Sequence, residues 1–139
     1  MKIRIIDFGL QKEGLPLPLR AHDNDAGADV YSPHTVTVFP NTTSKIGLKF
    51  GIALPDGMVG FIFPRSSLSA KGIVCELPPI DAGYRGEIHA VVSNVSNFPY
   101  TIERGDRVGQ LVILPVCMPD FTLGANESRG AGAFGSTGK

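Results

Sequence analysis

The stretch "TVTVFPNTTSKIGLKFGIALPDGMVGFIF" (residues 35–63) decides the fold class. Its first five residues alternate polar and apolar, the period-two pattern of a half-buried strand. Pro40-Asn41 turns the chain, and "SKIGLKFGIAL" reads as one further strand. Pro55-Asp56-Gly57 is a strong turn signal, and "MVGFIF" after it is a third strand before the next proline. Working outward, "KIRII" near the start reads as an edge strand, and "GLPLPLR" holds too much proline for a helix. Downstream, "EIHAVVSNV" and "RVGQLVILPV" are β-branched runs separated by Asn-Phe-Pro and Arg-Gly-Asp turns. The one helical candidate is "SSLSAK", with a hydroxyl cap in front and Gly72 as its stop. Strands spaced by roughly ten residues predict a sandwich, jelly roll or barrel.

Composition supports that class. The 139 residues make one domain, and 17 glycines with 11 prolines suit many strands and turns. Thirteen basic residues balance thirteen acidic ones, so a broad nucleic-acid footprint is not expected and any polyanion site must be local. Cys75 and Cys117 form no metal-type pair and read as reduced thiols. The N-terminal "MKIRIIDFGL" lacks a signal peptide's apolar run, and no segment reaches membrane-spanning length. A soluble, cytoplasmic protein is expected. The core should span residues 1–123. Residues 124–139, almost without apolar content, should form a glycine-rich C-terminal arm.

Five stretches hold more chemistry than turns require. The tail "RGAGAFGSTGK" looks like a phosphate loop, yet it lacks the Gly-x4-Gly-Lys-Ser/Thr spacing and a following helix, so it is not a P-loop. In "DAGADV" (residues 25–30) an Asp can cap a turn or face a metal's waters; the spacing excludes a calcium loop. In "FPRSSLSAKG" Arg65 precedes two serines, either a phosphate-binding arrangement or a capped helix with a surface arginine. In "PPIDAGYRGEI" Asp81 can activate a water or merely open a type I turn. In "ERGDRVGQL" Asp106, Arg107 and Gln110 can hold neighbouring groups or belong to an ordinary hairpin. A Ser66/Ser67–His89–Asp triad is disfavoured, because no nucleophile elbow surrounds either serine.

In order, "AGADV", "PRSSL", "IDAGYRGE", "RGDRVGQL" and "RGAGAFGSTG" closely resemble the five motifs of the trimeric all-β dUTP diphosphatases (dUTPases), from about Asp25 to the last residue. The resemblance implies a jelly-roll or distorted-barrel subunit, a homotrimer with shared active sites, and Mg²⁺-assisted hydrolysis of dUTP to dUMP and pyrophosphate. It implies that Asp81 deprotonates the attacking water and that Asp29 holds water ligands of the Mg²⁺. Arg65, Ser66 and Gln110 would contact phosphate oxygens, with Ser67 close by or capping the helix. Ile80 would belong to the base pocket, and Tyr84 would lie under the deoxyribose. Arg129 would reach the phosphates, Phe134 would stack on uracil beside Gly135, and Ser136 and Thr137 would meet the outer phosphates. Asp106 and Arg107 look structural.

The chain departs from that pattern twice. Ala133 stands where the arm motif usually has glycine, which costs about a kcal/mol or more if φ is positive there. The hairpin "CELPPID" (residues 75–81) reads as shorter than the family's, and backbone groups of residues 76–80 are expected to form the base pocket. The related dCTP deaminases share the fold but need a catalytic glutamate where this chain has Val91. A non-enzymatic nucleotide-binding regulator on the same fold is the rival from another class.

Overall fold

The computed structural model describes residues 1–125. Among them are ten strands: β1 (Arg4–Asp7), β2 (Ala28–Tyr31), β3 (Val36–Val38), β4 (Thr43–Gly47), β5 (Phe50–Ala53), β6 (Met58–Phe63), β7 (Ile73–Glu76), β8 (His89–Asn94), β9 (Tyr100–Ile102) and β10 (Arg107–Pro115). One short helix, α1 (Ser66–Ser69), lies between β6 and β7. All pairing is antiparallel, in four small sheets ordered β1-β5, β2-β10-β6, β3-β9 and β4-β8-β7. The expected all-β class with one short helix holds, although hydrogen bonding does not close a barrel. No helix of the described residues is long and apolar enough to cross a membrane, and Cys75 and Cys117 are both free thiols.

Alternation places the core. In β8, Ala90, Val92 and Asn94 point inward while His89, Val91 and Ser93 face out. Leu48, Phe50, Ile52, Ile73, Ile88, Val92, Ile102 and Val108 fill the interior. Asn94 is the polar exception, 0 % exposed. Its Nδ2 donates to the carbonyls of Val38 (2.8 Å) and Phe98 (2.7 Å), and its Oδ1 accepts from the Ser96 amide and hydroxyl. The amide thereby ties β3 and the Ser96–Phe98 turn to β8 with every bond satisfied.

Two local expectations need correction. "SKIGLKFGIAL" is two strands, β4 and β5, which pair with β8 and β1 respectively. The break falls at Lys49, whose φ of 65° is left-handed for a non-glycine residue. Glu87 holds that kink: its Oε2 accepts the Lys49 amide at 2.9 Å. The second correction is at α1, which has no side-chain cap. Arg65 occupies the N-cap position, and Ser66 and Ser67 are its first helical residues. The expected stop does form, with Gly72 at φ 83°.

The last strand ends at Pro115. Beyond it Met118, Phe121 and Leu123 are 78 %, 91 % and 104 % exposed, a run of large apolar side chains with nothing among the described residues over them.

Candidate active site

A β-bulge builds the first cluster. In the β2–β10 ladder Arg107 stands opposite Tyr31 and Gly109 opposite Val30, so Val108 is the extra residue. Side chains alternate along a strand, and without the bulge Arg107 and Gln110 would face opposite sides. With it, Val108 enters the core while Arg107, Gln110, Asp29 and Tyr31 share one outer face. Asp29 is held by backbone bonds to Leu19 at 2.8 and 3.1 Å. Its carboxylate, 18 % exposed, accepts from Arg107 Nη1 at 3.4 Å. Gln110 lies across Gly27 and donates to the Pro64 carbonyl at 3.1 Å. Turn capping in this region falls to Asp25, whose carboxylate accepts the His22 amide at 2.9 Å, leaving Asp29 facing a cavity of about 510 Å³.

α1 begins two residues after Pro64. Arg65 and Ser67 line a polar cavity of about 410 Å³ with Lys71, Arg107, Tyr31 and Tyr100. Lys71 Nζ lies 5.4 Å from the Tyr100 ring centroid. The uncapped hydroxyls of Ser66 and Ser67 are exposed beside Arg65. Guanidinium, ammonium and hydroxyl donors suit an anion with several oxygens.

Asp81 lies in a different place. Ile80 is clamped by two backbone bonds to Gly60, at 2.8 and 3.0 Å, which turns Asp81 outward. The Tyr84 amide donates to the Asp81 carbonyl at 3.0 Å, closing a turn. Tyr84 Oη donates to the Glu87 carbonyl at 2.7 Å, so the ring is fixed with a face exposed. Arg85 is turned back onto the carbonyls of Ala82 and Tyr84. The Asp81 carboxylate enters no hydrogen bond among the described residues. With Ile80, Tyr84, His89 and Val91 it lines a cavity of about 210 Å³. A carboxylate beside a fixed aromatic face at a small apolar cavity can orient a water against a ligand seated there.

Within one chain these parts stay separate. Asp29, Gln110, Arg65, Ser66 and Ser67 gather around β2, β10 and α1, and none of them lines the cavity of Asp81 and Tyr84. Arg129, Phe134, Gly135, Ser136 and Thr137, like Ala133, lie outside the described residues. Sequence reasoning passed over Lys45 and Glu87 and gave Glu76 a backbone role only, yet all three side chains line the Asp81 cavity; it also passed over Lys71 beside Arg65. The alternation of β4 and β8 signals only that Lys45 and His89 face outward; the shared cavity comes from strand pairing. His89 lies at this wall, 3.8 Å from Glu87, and not in the cavity of Ser67.

Among the described residues no three His, Cys, Asp or Glu side chains are grouped to hold a metal ion directly. The donor set fits Mg²⁺ held through its waters, because Mg²⁺ keeps most of its hydration and needs one carboxylate such as Asp29.

Comparison with known proteins identifies the family. The dUTPase family model matches residues 13–138. A deoxyuridine 5'-triphosphate nucleotidohydrolase of Tropheryma whipplei (strain Twist) is 46 % identical over 130 residues, covering 88 % of each chain. The enzyme of that name from Mycolicibacterium gilvum is 43 % identical over 136 residues, covering 89 % of this chain and 88 % of its own. Among solved structures, a Staphylococcus bacteriophage 80alpha dUTPase mutant with dUpNHpp superposes with a TM-score of 0.86 at 27 % identity, over 99 % of both chains. A mutant dUTPase from phage phi11 of S. aureus, described for its coordination of a structural Mg(II) ion, gives 0.81 at 26 % identity, over 91 % of this chain and 98 % of its own. With the motif residues placed as above and a family match running over most of its length, this chain belongs to the dUTPase family.

Proposed function

We propose that the protein is a dUTP diphosphatase that hydrolyses dUTP to dUMP and pyrophosphate. The observation that carries this reading is the uncommitted Asp81 carboxylate beside the fixed Tyr84 ring, in a cavity apart from the cationic phosphate-type face. The deoxyribose lies on Tyr84 and the base sits against Ile80. Asp81 takes a proton from a water as its oxygen forms a bond to the α-phosphorus; the bond from that phosphorus to the bridging oxygen breaks and pyrophosphate leaves. Arg65, Ser66 and Gln110, with Ser67 adjacent, hold the phosphate oxygens and balance the charge that builds on them. Asp29 would hold Mg²⁺ through its waters, and the ion would supply further charge neutralisation.

Because the two clusters lie apart in one chain, we infer that each site forms between copies of a homotrimer. The uncovered Met118, Phe121 and Leu123 favour contact with another copy. On this reading residues 1–123 form the core. Residues 124–139 form an arm that brings Arg129, Phe134, Gly135, Ser136 and Thr137 over the bound nucleotide, excluding water. The protein would act in the cytoplasm, keeping uracil out of DNA and supplying dUMP.

Product analysis tests this. Wild-type protein with Mg²⁺ should release dUMP and pyrophosphate from dUTP, and Asp81→Asn should lose roughly 10²- to 10⁴-fold in kcat. Tight dUTP binding without turnover, or an Asp81→Asn variant within tenfold of wild type, would refute the assignment.

A further inference from the structure

Residues 76–80 have few backbone donors left for a ligand. Pro78 and Pro79 carry no amide hydrogen, and the Ile80 amide already donates to Gly60 at 2.8 Å. Glu76 lies opposite Val91 in the β7–β8 ladder, where its amide is already engaged, so only Leu77 remains. A uracil ring presents carbonyl acceptors on both sides of its N3–H donor, so this hairpin is short of donors and rich in acceptors.

Side chains on the same wall can supply the deficit. Lys45 and Glu76 both stand opposite Val91 in register. The three form one row across β4, β8 and β7 and share a face. With strands about 4.8 Å apart, an ammonium and a carboxylate flank the Val91 side chain at the wall of the Asp81 cavity. Neither charge takes part in an ion pair among the described residues. Glu76 accepts only the Ser93 hydroxyl, at 3.3 Å.

We propose that Lys45 and Glu76 are specificity-determining residues: Lys45 donates to the 4-keto oxygen of uracil and Glu76 accepts from N3–H. The proposal rests on the diphosphatase reading and deepens it. Cytosine would turn a 4-amino donor toward the ammonium and a bare N3 toward the carboxylate, two repulsive pairings at once. Base choice is thereby assigned to side chains as well as to the hairpin backbone.

The test is the dUTP:dCTP ratio of kcat/KM in Lys45→Met and Glu76→Gln, alongside equilibrium binding of dUMP and dCMP. Both side chains are exposed, and thermal melts should confirm that the fold is kept. Lys45→Met should lose roughly 10- to 100-fold on dUTP, the worth of one charge-assisted hydrogen bond, and should gain on dCTP as the repulsion of its 4-amino group is removed. Lys45→Arg should retain the preference. Glu76→Gln, whose amide both donates and accepts, should move the ratio toward dCTP by about tenfold. A wild-type ratio in either Lys45→Met or Glu76→Gln, for turnover and binding alike, would overturn the proposal. If wild type cleaves nothing while the dUMP:dCMP preference still shifts in both variants, base reading stands and the diphosphatase reading falls.

Discussion

Replacing Gly27 by alanine should damage the phosphate face although no ligand-binding residue is itself replaced. A Cβ at residue 27 would lie 2.2 Å from Gln110 Oε1 and 2.9 Å from both its Cβ and its Cδ. Ordinary carbon contacts need about 3.5–4.0 Å. The amide end can swing away, but the Cβ of Gln110 is fixed to β10, so the β2–β10 ladder must also shift. Swinging breaks the 3.1 Å bond to the Pro64 carbonyl, about 1 kcal/mol, and residual overlap adds about 1–3 kcal/mol. The melting midpoint should fall by roughly 5–12 °C. On dUTP, kcat/KM should fall roughly 10- to 100-fold as the charge-assisted phosphate contact of Gln110 is lost. Melts and pyrophosphate release on Gly27→Ala, Gln110→Ala and the double variant form a cycle. With Gln110 shortened, alanine at 27 should cost at least about 1 kcal/mol less. Strictly additive effects, or a Gly27→Ala rate within twofold of wild type, would refute the contact as the cause.

Two further outcomes test the fold and its ionisation. Asn94→Ala removes four hydrogen bonds from a fully buried position and should destabilise by about 3–4 kcal/mol, lowering the melting midpoint by roughly 10 °C; a loss below about 1 kcal/mol would mean that the freed groups find other partners. Burial, aided by the negative charge of Glu76, pushes the Cys75 thiol from 9.0 up to about 11. The unfolded chain therefore loses that proton first, so its contribution to stability is complete below pH 9 and is lost as pH rises toward about 11. Denaturant midpoints across that window should fall less in Cys75→Ala than in wild type.

The all-β class was legible because alternation and Pro/Gly punctuation are local signals, carried by runs such as "TVTVF" and "MVGFIF". The break in "SKIGLKFGIAL" was not, because Glu87, which holds Lys49 in its left-handed conformation, is 38 residues away. The missing helix cap misled for a related reason: hydroxyls after Arg65 look like caps in sequence, but the backbone puts Arg65 at the N-cap. Motif residues could be read as types at spacings, whereas their division into two clusters depends on which strands pair. Lys45 in particular gains its place opposite Val91 only through the β4–β8 register.

The extra residue at Val108 imposes a parity rule on the stretch that carries Arg107 and Gln110. Each single deletion or insertion between them would trade inside for outside, driving Val108 into solvent or one of the two polar side chains into the core. Changes by two residues would preserve the facing of both. Length variation in this segment is therefore expected to come in even steps, while the turn at Gly105, where no side chain must be aimed, is free to change by one.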